Sequence, residues 1–338
     1  MKYSFIIPVY NCKNYLTACV QSILALDSGD FEIILVDDGS GDGSGAVCDD
    51  LAVKYRQVQV IHKENSGVSS ARNAGIERAC GSYLIFVDGD DTLDTGKLGT
   101  MMAGFNESAA DMAIFGISFD FYKNGSCYRC DELYAPHDGL LTAGQWQKDF
   151  LTLFRANAIS SSCTKIFRRD ILMKYGVRFS EEMFLYEDLE FVLRYMAHCG
   201  PIFNVPQAVY HYRQSEDEGN AKRRLTRIDR LSAFMAPIRA AMEDLTGVPE
   251  AQKEEILVQL HQVLAREKIS GAGLKQVGGI CNDYAQWYQA GGYTAGDNGF
   301  HRDLMDQKSL KLMLWDRKTA LRHSAAVWVK SHHLYKRK

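Results

Sequence analysis

The chain has 338 residues, 46% hydrophobic and 24% charged, with 6 prolines and a net charge of −3. That balance excludes a disordered chain and leaves room for about two domains with a sizeable core. No apolar run approaches the roughly 20 residues of a membrane span, the amino terminus leads straight into a strand, and nine scattered cysteines fit a reducing compartment, so a cytoplasmic site of action is expected.

Taken in order, Lys2 to Val9 is a strand candidate, and Asn11 to Leu26 a helix with Leu16, Val20, Ile23 and Leu24 on one face. Phe31 to Val36 is a second apolar strand, ending at Asp37-Asp38-Gly39-Ser40. Gly41 to Gly45 turns, Ala46 to Tyr55 is helical, and Val58 to His62 is a strand. A helix from Val68 to Cys80 leads into the strand Tyr83 to Val87, followed by a helix near Leu98 to Asn106 and a strand from Asp111 to Phe119. Asp120 to Thr142 is loop or hairpin, Gly144 to Phe154 helix, Cys163 to Phe167 a short strand, and Asp170 to Tyr175 helix. Phe179 to Tyr186 connects to a helix from Glu187 to Cys199, with Leu189, Val192, Leu193 and Met196 at helical spacing. After Val209 to Arg213, the polar stretch Gln214 to Arg224 is expected to be a loop. Leu225 to Arg266 is helical with a break near Pro249, and the Gly-rich stretch from Gly271 to Gly299 separates it from a basic tail.

Strand and helix alternating at this spacing predicts a doubly wound, mostly parallel α/β sheet, with ligands above the carboxyl ends of its strands. Those ends carry Pro8 to Asn11, Asp37 to Ser40 and Asp88 to Asp91. Three carboxylates within four residues repel one another unless a cation neutralises them, and hard oxygen ligands suit Mg²⁺ or Mn²⁺. The alternative is a plain Asp/Gly turn. No GxGxxG follows the first strand and no GxxxxGK[ST] occurs, so neither a dinucleotide site nor a P-loop is supported. Cys127 and Cys130 form a CxxC, yet a structural zinc site wants four ligands, and without a second pair, with His137 the sole neighbour, no zinc is expected there.

Five stretches together resemble the family 2 glycosyltransferases: Ser4-Phe-Ile-Ile-Pro-Val-Tyr-Asn11, Val36-Asp-Asp-Gly-Ser40, Asn65-Ser-Gly-Val-Ser-Ser-Ala-Arg-Asn-Ala-Gly75, Phe86-Val-Asp-Gly-Asp-Asp91 and Tyr186-Glu-Asp-Leu-Glu-Phe191. The resemblance implies a GT-A fold over residues 1–214, with a nucleotide-sugar half (1–117) and an acceptor half (118–214), and a mainly helical region over 215–338. It implies an inverting, metal-dependent hexosyl or N-acetylhexosaminyl transfer from a nucleotide-diphosphate sugar, commonly a UDP-sugar, to a glycan or lipid-linked acceptor of the cell surface. Pro8, Val9, Tyr10 and Asn11 match the strand end that contacts the nucleoside, and Asp38 the acceptor of a hydrogen bond from the base. Asn65, Ala71 and Arg72 match the segment flanking base and phosphates. Asp88-Gly89-Asp90 matches the DXD motif, where the last Asp binds Mn²⁺ or Mg²⁺ on the diphosphate and Gly89 permits close backbone approach.

Asp188 matches the base of the ED motif, with Glu187 in support, while Asp91 caps or orients its neighbours. Tyr210-His-Tyr-Arg213 resembles a family element from which His211 completes the metal shell, touches the diphosphate or is structural, and Arg213 covers the diphosphate or makes a surface ion pair. Cys163-Thr-Lys-Ile166 departs from a common Trp-Asn-Lys-Leu-type stretch, which leaves the acceptor open. A sugar nucleotidyltransferase would want a Gly-rich basic loop after the first strand, which Pro8 to Tyr15 lacks. A silent nucleotide-sugar-binding or assembly subunit has no need of Asp38, Asp90 and Asp188 together. A homo-oligomer stays open.

From Lys308 to Lys338 nine Lys or Arg face one acid, Asp316, a net +8 that leaves −11 for the preceding residues. The acidic bulk argues against nucleic acid as partner. With Trp315, Trp328 and Tyr335 among its apolar residues, the tail suits an anionic membrane surface, or else a helix packed on its own domain. The membrane reading predicts that the chain co-sediments with anionic vesicles and that a chain ending at Gln307 does not; equal binding by both excludes it.

Overall fold

Strand β1 (Tyr3–Val9) is almost wholly buried, as its apolar run Phe5-Ile6-Ile7 requires of an inner strand. It pairs in parallel with β2 (Phe31–Asp37) on one side and β4 (Tyr83–Phe86) on the other, and β2 pairs in parallel with β3 (Val58–His62). The connections are α1 (Lys13–Leu24), α2 (Ser44–Lys54) and α3 (Val68–Arg78). Gly75 lets α3 lie close on the sheet, since a Cβ there would stand 2.3 Å from Ile6 Cγ2. The computed structural model describes residues 2–27, 30–215, 231–269, 274–294, 299–306 and 312. Two compact units divide the chain, Met1–Glu216 and Asp217–Lys338.

Beyond β4 the sheet is mixed. The short β9 (Lys165–Arg168) runs antiparallel between β4 and β6 (Met112–Lys123), and the long β10 (Ile202–Ser215) is parallel to β6. The two-residue β5 (Thr92–Leu93) adds antiparallel to β10, giving the order β3-β2-β1-β4-β9-β6-β10-β5. Off this path, β7 (Ser126–Leu133) returns antiparallel along β6, and β8 (Gly139–Leu141) pairs with β10. Helices α4 (Thr95–Glu107), α5 (Ala143–Lys148), α6 (Phe150–Arg155), α7 (Arg169–Tyr175) and α8 (Glu187–Met196) complete the unit. The helix expected from Gly144 to Phe154 is thus two short ones meeting at Asp149, a break that still buries Trp146, Phe150 and Phe154.

An aromatic cluster ties the two halves of this unit together. Phe86 of β4 meets Phe167 of β9, Phe179 and Phe191 of α8 edge-on at 5.1–5.8 Å, and Phe179 stacks on Phe191 at 3.9 Å. Each such pair contributes about 0.5–1.5 kcal/mol beyond its buried area. Asn73 of α3 locks the Phe179 peptide from both sides, donating to its carbonyl and accepting from its N–H, each at 2.9 Å.

The second unit is helical: Leu231–Phe234, Ala236–Glu243, Glu250–Ile269, Leu274–Ala290 and Gly299–Met305. The Gly-rich separator expected from Gly271 is therefore largely a helix, because Val277, Ile280, Cys281, Tyr284 and Trp287 bury along one face at helical spacing and outweigh Gly278 and Gly279. No helix among the described residues is long and apolar enough to cross a membrane. The stretch 216–230 and, apart from Leu312, the basic aromatic tail lie outside the described residues.

His261 is fully buried between Tyr284 and Trp287, and neither ring nitrogen has a hydrogen-bond partner among the described residues. Burial pushes its pKa down to about 4, against the opposing pull of Asp283. The unfolded chain takes up the proton near pH 6.5, so stability is full above that pH and falls as pH drops toward 4, by about 3 kcal/mol in all. Urea unfolding across this range should show that loss, and His261→Leu should flatten it; an unchanged slope would refute the assignment.

Candidate active site

Because β1, β2 and β4 are parallel neighbours, their carboxyl ends share one edge, and Asp38 N–H donates to the Val9 carbonyl at 2.9 Å. Asn11 sits at φ 53, a left-handed value that Asn tolerates, and accepts from Gly41 N–H at 2.9 Å. Asp38 is almost fully buried. Its Oδ1 accepts from Lys63 Nζ at 2.6 Å and Ser66 N–H at 3.0 Å, and its Oδ2 from Gly67 N–H at 2.8 Å. Three of its roughly four acceptor positions are filled by the chain, and the remaining one lies on Oδ2. Gly39, at φ +72, is obligatory in this bend, since a Cβ would stand 2.9 Å from Asn65 N.

At the centre stands Arg72 of α3, 3% exposed. One terminal nitrogen donates to Asp188 Oδ1 at 2.6 Å and the other to Asp88 Oδ1 at 2.8 Å, while the guanidinium lies 5.2 Å from the Phe179 ring. Burial opposes its charge, but Asp188 and Asp88 outweigh burial and hold it well above its usual pKa. Its Nε is buried without a hydrogen-bond partner among the described residues. Asp188, in the first turn of α8, also accepts from Ser162 N–H at 3.3 Å. Behind it Lys165 is fully buried, its Nζ donating to the Ser161 carbonyl and to Thr164 Oγ1; burial pushes it down to about 7 against the pull of Asp188.

The acidic turn folds back on itself, with Asp91 N–H donating to the Asp88 carbonyl at 3.1 Å. Gly89 is packed so tightly that a Cβ would meet Cys12 Sγ at 2.8 Å and the Pro8 carbonyl at 3.3 Å. Asp91 is buried, accepting from Tyr210 OH at 2.5 Å and Arg213 N–H at 2.8 Å, and Tyr210 OH in turn accepts from Asp88 N–H at 3.1 Å. Burial, with Asp90 and Asp88, raises the Asp91 carboxyl well above the usual range. Strand pairing sets His211 opposite Thr92, two residues past Asp90, and its Nδ1 lies 2.8 Å from Asp120 Oδ2. Arg213 is stacked between Tyr122 at 3.7 Å and Tyr15 at 5.0 Å.

Arg72, Asp88 and Asp188 thus meet directly, and β10 brings His211 and Arg213 to the turn that holds Asp90. Tyr10 and Asn65 are exposed at the edge and Pro8 is half-buried, while Glu187 opens α8 beside Asp188. Val9 and Ala71 are fully buried, so their side chains support the crevice from within rather than line it. Sequence reasoning missed Lys63, Asp120, Ser162 and Lys165 and gave Asp91 and Tyr210 no defined partner. Of the four missed residues only Lys165 carried a signal, the lysine of the Cys163-Thr-Lys-Ile166 stretch.

The profile described as "Glycosyl transferase family 2" matches residues 4–176. The uncharacterized glycosyltransferase EpsJ of Bacillus subtilis (strain 168) is 31% identical over 216 residues, 63% of this chain and 61% of its own length. Glycosyltransferase GlyG of Streptococcus pneumoniae serotype 4 is 32% identical over 192 residues, 53% of this chain and 62% of its own. The chain therefore spans about three fifths of the length of these curated relatives. Among solved structures, S. aureus TarS 1-349 in complex with UDP-GlcNAc superposes with a TM-score of 0.67 at 23% identity, over 86% of this chain and 81% of that one, and shares the GT-A fold.

Replacing Arg72 by Met leaves Asp88 and Asp188 without their shared counter-charge. The expected loss is about 2 kcal/mol, below that of a fully buried pair because both carboxylates keep part of their surface in water. Denaturant unfolding measures it, and a loss under about 0.5 kcal/mol would show that the bridge does not hold the site.

Proposed function

Since the chain belongs to glycosyl transferase family 2, we propose that it transfers a sugar from a nucleotide-diphosphate donor, a UDP-sugar foremost, to a hydroxyl of a glycan or lipid-linked acceptor, with inversion at the anomeric carbon. The observation that carries the reading is the Arg72 bridge, which brings the acidic turn and the Asp188 carboxylate to one crevice although they lie about a hundred residues apart. In support of the donor class, the TarS structure of the same fold holds UDP-GlcNAc.

Inversion needs one in-line displacement. The acceptor oxygen bonds to the anomeric carbon as the bond to the diphosphate breaks, and one carboxylate takes the hydroxyl proton. Asp188 is assigned that task. Arg72 fixes one of its oxygens and Ser162 N–H supports the other. Glu187, at the start of the same helix, is assigned a supporting contact.

The donor set at the turn fits a hard divalent cation: Asp90 with Asp88, whose second oxygen is left by Arg72, and His211, whose Nδ1 is engaged by Asp120 so that Nε2 is the ligating nitrogen. When bound, Mn²⁺ or Mg²⁺ neutralises the charge developing on the departing diphosphate. Arg213, stacked between Tyr15 and Tyr122, supplies a further cation to that leaving group, and Asp38 keeps one acceptor position for the base.

Asp188→Asn is expected to lower turnover by about 10²–10⁴ while donor binding, followed by calorimetry with UDP-sugars and Mn²⁺, stays within a few-fold. Turnover equal to that of the parent chain would remove Asp188 as the base, and a product with retained anomeric configuration would reject the single displacement.

A further inference from the structure

The second half of the sheet holds two cysteines that sugar transfer does not use, beside the Asp120 that orients His211. In a regular strand, residues three apart point to opposite faces. The register of β7 on β6 pairs Asp120 with Cys130, Phe121 with Arg129, and Tyr122 with Cys127, so Tyr128 is an extra residue, a β-bulge. The bulge returns Cys127 and Cys130 to one face, where their sulfurs lie 3.3 Å apart as free thiols. Pairing across the ladder supplies the third group. One atom each of Asp120, Cys127 and Cys130 falls within 4.8 Å of the others.

We propose that Asp120, Cys127 and Cys130 form a binding site for a thiophilic divalent cation of the Zn²⁺ class, distinct from the acidic turn, with a fourth position left to solvent. Two sulfurs and one carboxylate oxygen are a donor set for a borderline-soft ion, whereas Mn²⁺ and Mg²⁺ prefer the oxygen-rich turn, which has no thiolate in its proposed donor set. Sulfurs at the two corners of a tetrahedron of Zn–S ≈ 2.3 Å stand roughly 3.8 Å apart, so the pair opens by only about half an ångström. Asp120 is oriented already, accepting from Ser118 Oγ at 2.5 Å and facing His211 Nδ1 at 2.8 Å, the outer-shell support that ligating carboxylates receive. Loading exchanges the two thiol protons for one cation and moves no electrons.

The test is a Co²⁺ titration of the full chain, reduced and stripped of metal with a chelator. One equivalent should produce thiolate-to-cobalt charge-transfer absorption that Zn²⁺ abolishes. Cys127→Ser and Cys130→Ser should each lose the band, Asp120→Asn should weaken binding by about 10–100-fold, and Asp90→Asn should leave the band untouched, because Asp90 is not one of the three ligands. As a measurement needing no variant, Zn²⁺ should slow alkylation of Cys127 and Cys130 but not of the exposed Cys80. The proposal is overturned by a folded chain that gives no band at stoichiometric Co²⁺, by a band that survives loss of both cysteines, or by a Cys127–Cys130 disulfide in the protein purified under reducing conditions.

Discussion

One guanidinium sets the geometry of the crevice. Asp88 arrives on the end of β4 and Asp188 on the first turn of α8, and each would repel the other without Arg72 between them. At about 4 Å and an effective dielectric near 20, each charge pair is worth about 4 kcal/mol before desolvation, which a buried guanidinium largely cancels. The bridge is thus a device of position more than of stability. The surrounding packing makes that position unique: Phe179 lies under the guanidinium, stacks on Phe191 of α8, and is held at its own peptide by Asn73 of the helix that carries Arg72.

A second tie works from the other side of the turn. Buried Asp91 accepts from the Tyr210 hydroxyl and the Arg213 peptide, and the same hydroxyl receives Asp88 N–H. Neighbouring residues of β10 thereby do different things. Tyr210 fixes the turn, His211 reaches the level of Thr92 with Asp120 behind it, and Arg213 lies between two tyrosines. Left-handed Tyr186, at φ 60, begins α8 just before Glu187 and Asp188, so backbone bends as well as charges aim the groups.

Much of the first half was legible in the sequence for simple reasons. Buried parallel strands must be apolar along their whole length, which betrays Phe5 to Ile7 and Ile33 to Val36, and the polar clusters that follow mark where the sheet ends. The second half was less legible. β5 is too short for a periodic signal, the helix at Leu274–Ala290 was hidden by its glycines, and the helix from Gly144 divides at Asp149. Lys63, Asp120 and Ser162 are ordinary polar residues locally, and their roles come from partners up to about 90 positions away.

By itself the sequence determined the alternation of strand and helix, the acids that end β4 and begin α8, and the glycines that such turns need, because these are local consequences of hydrophobic patterning and backbone freedom. Tertiary structure alone decided which acids meet: that Arg72 is shared, that Asp91 is buried under Tyr210, and that Asp120 stands beside His211 on one side and the two cysteines on the other. The reason is physical. A carboxylate's role depends on the charge and hydrogen-bond donors within a few ångströms of it, and strand register and helix packing, not sequence spacing, determine what lies within that distance.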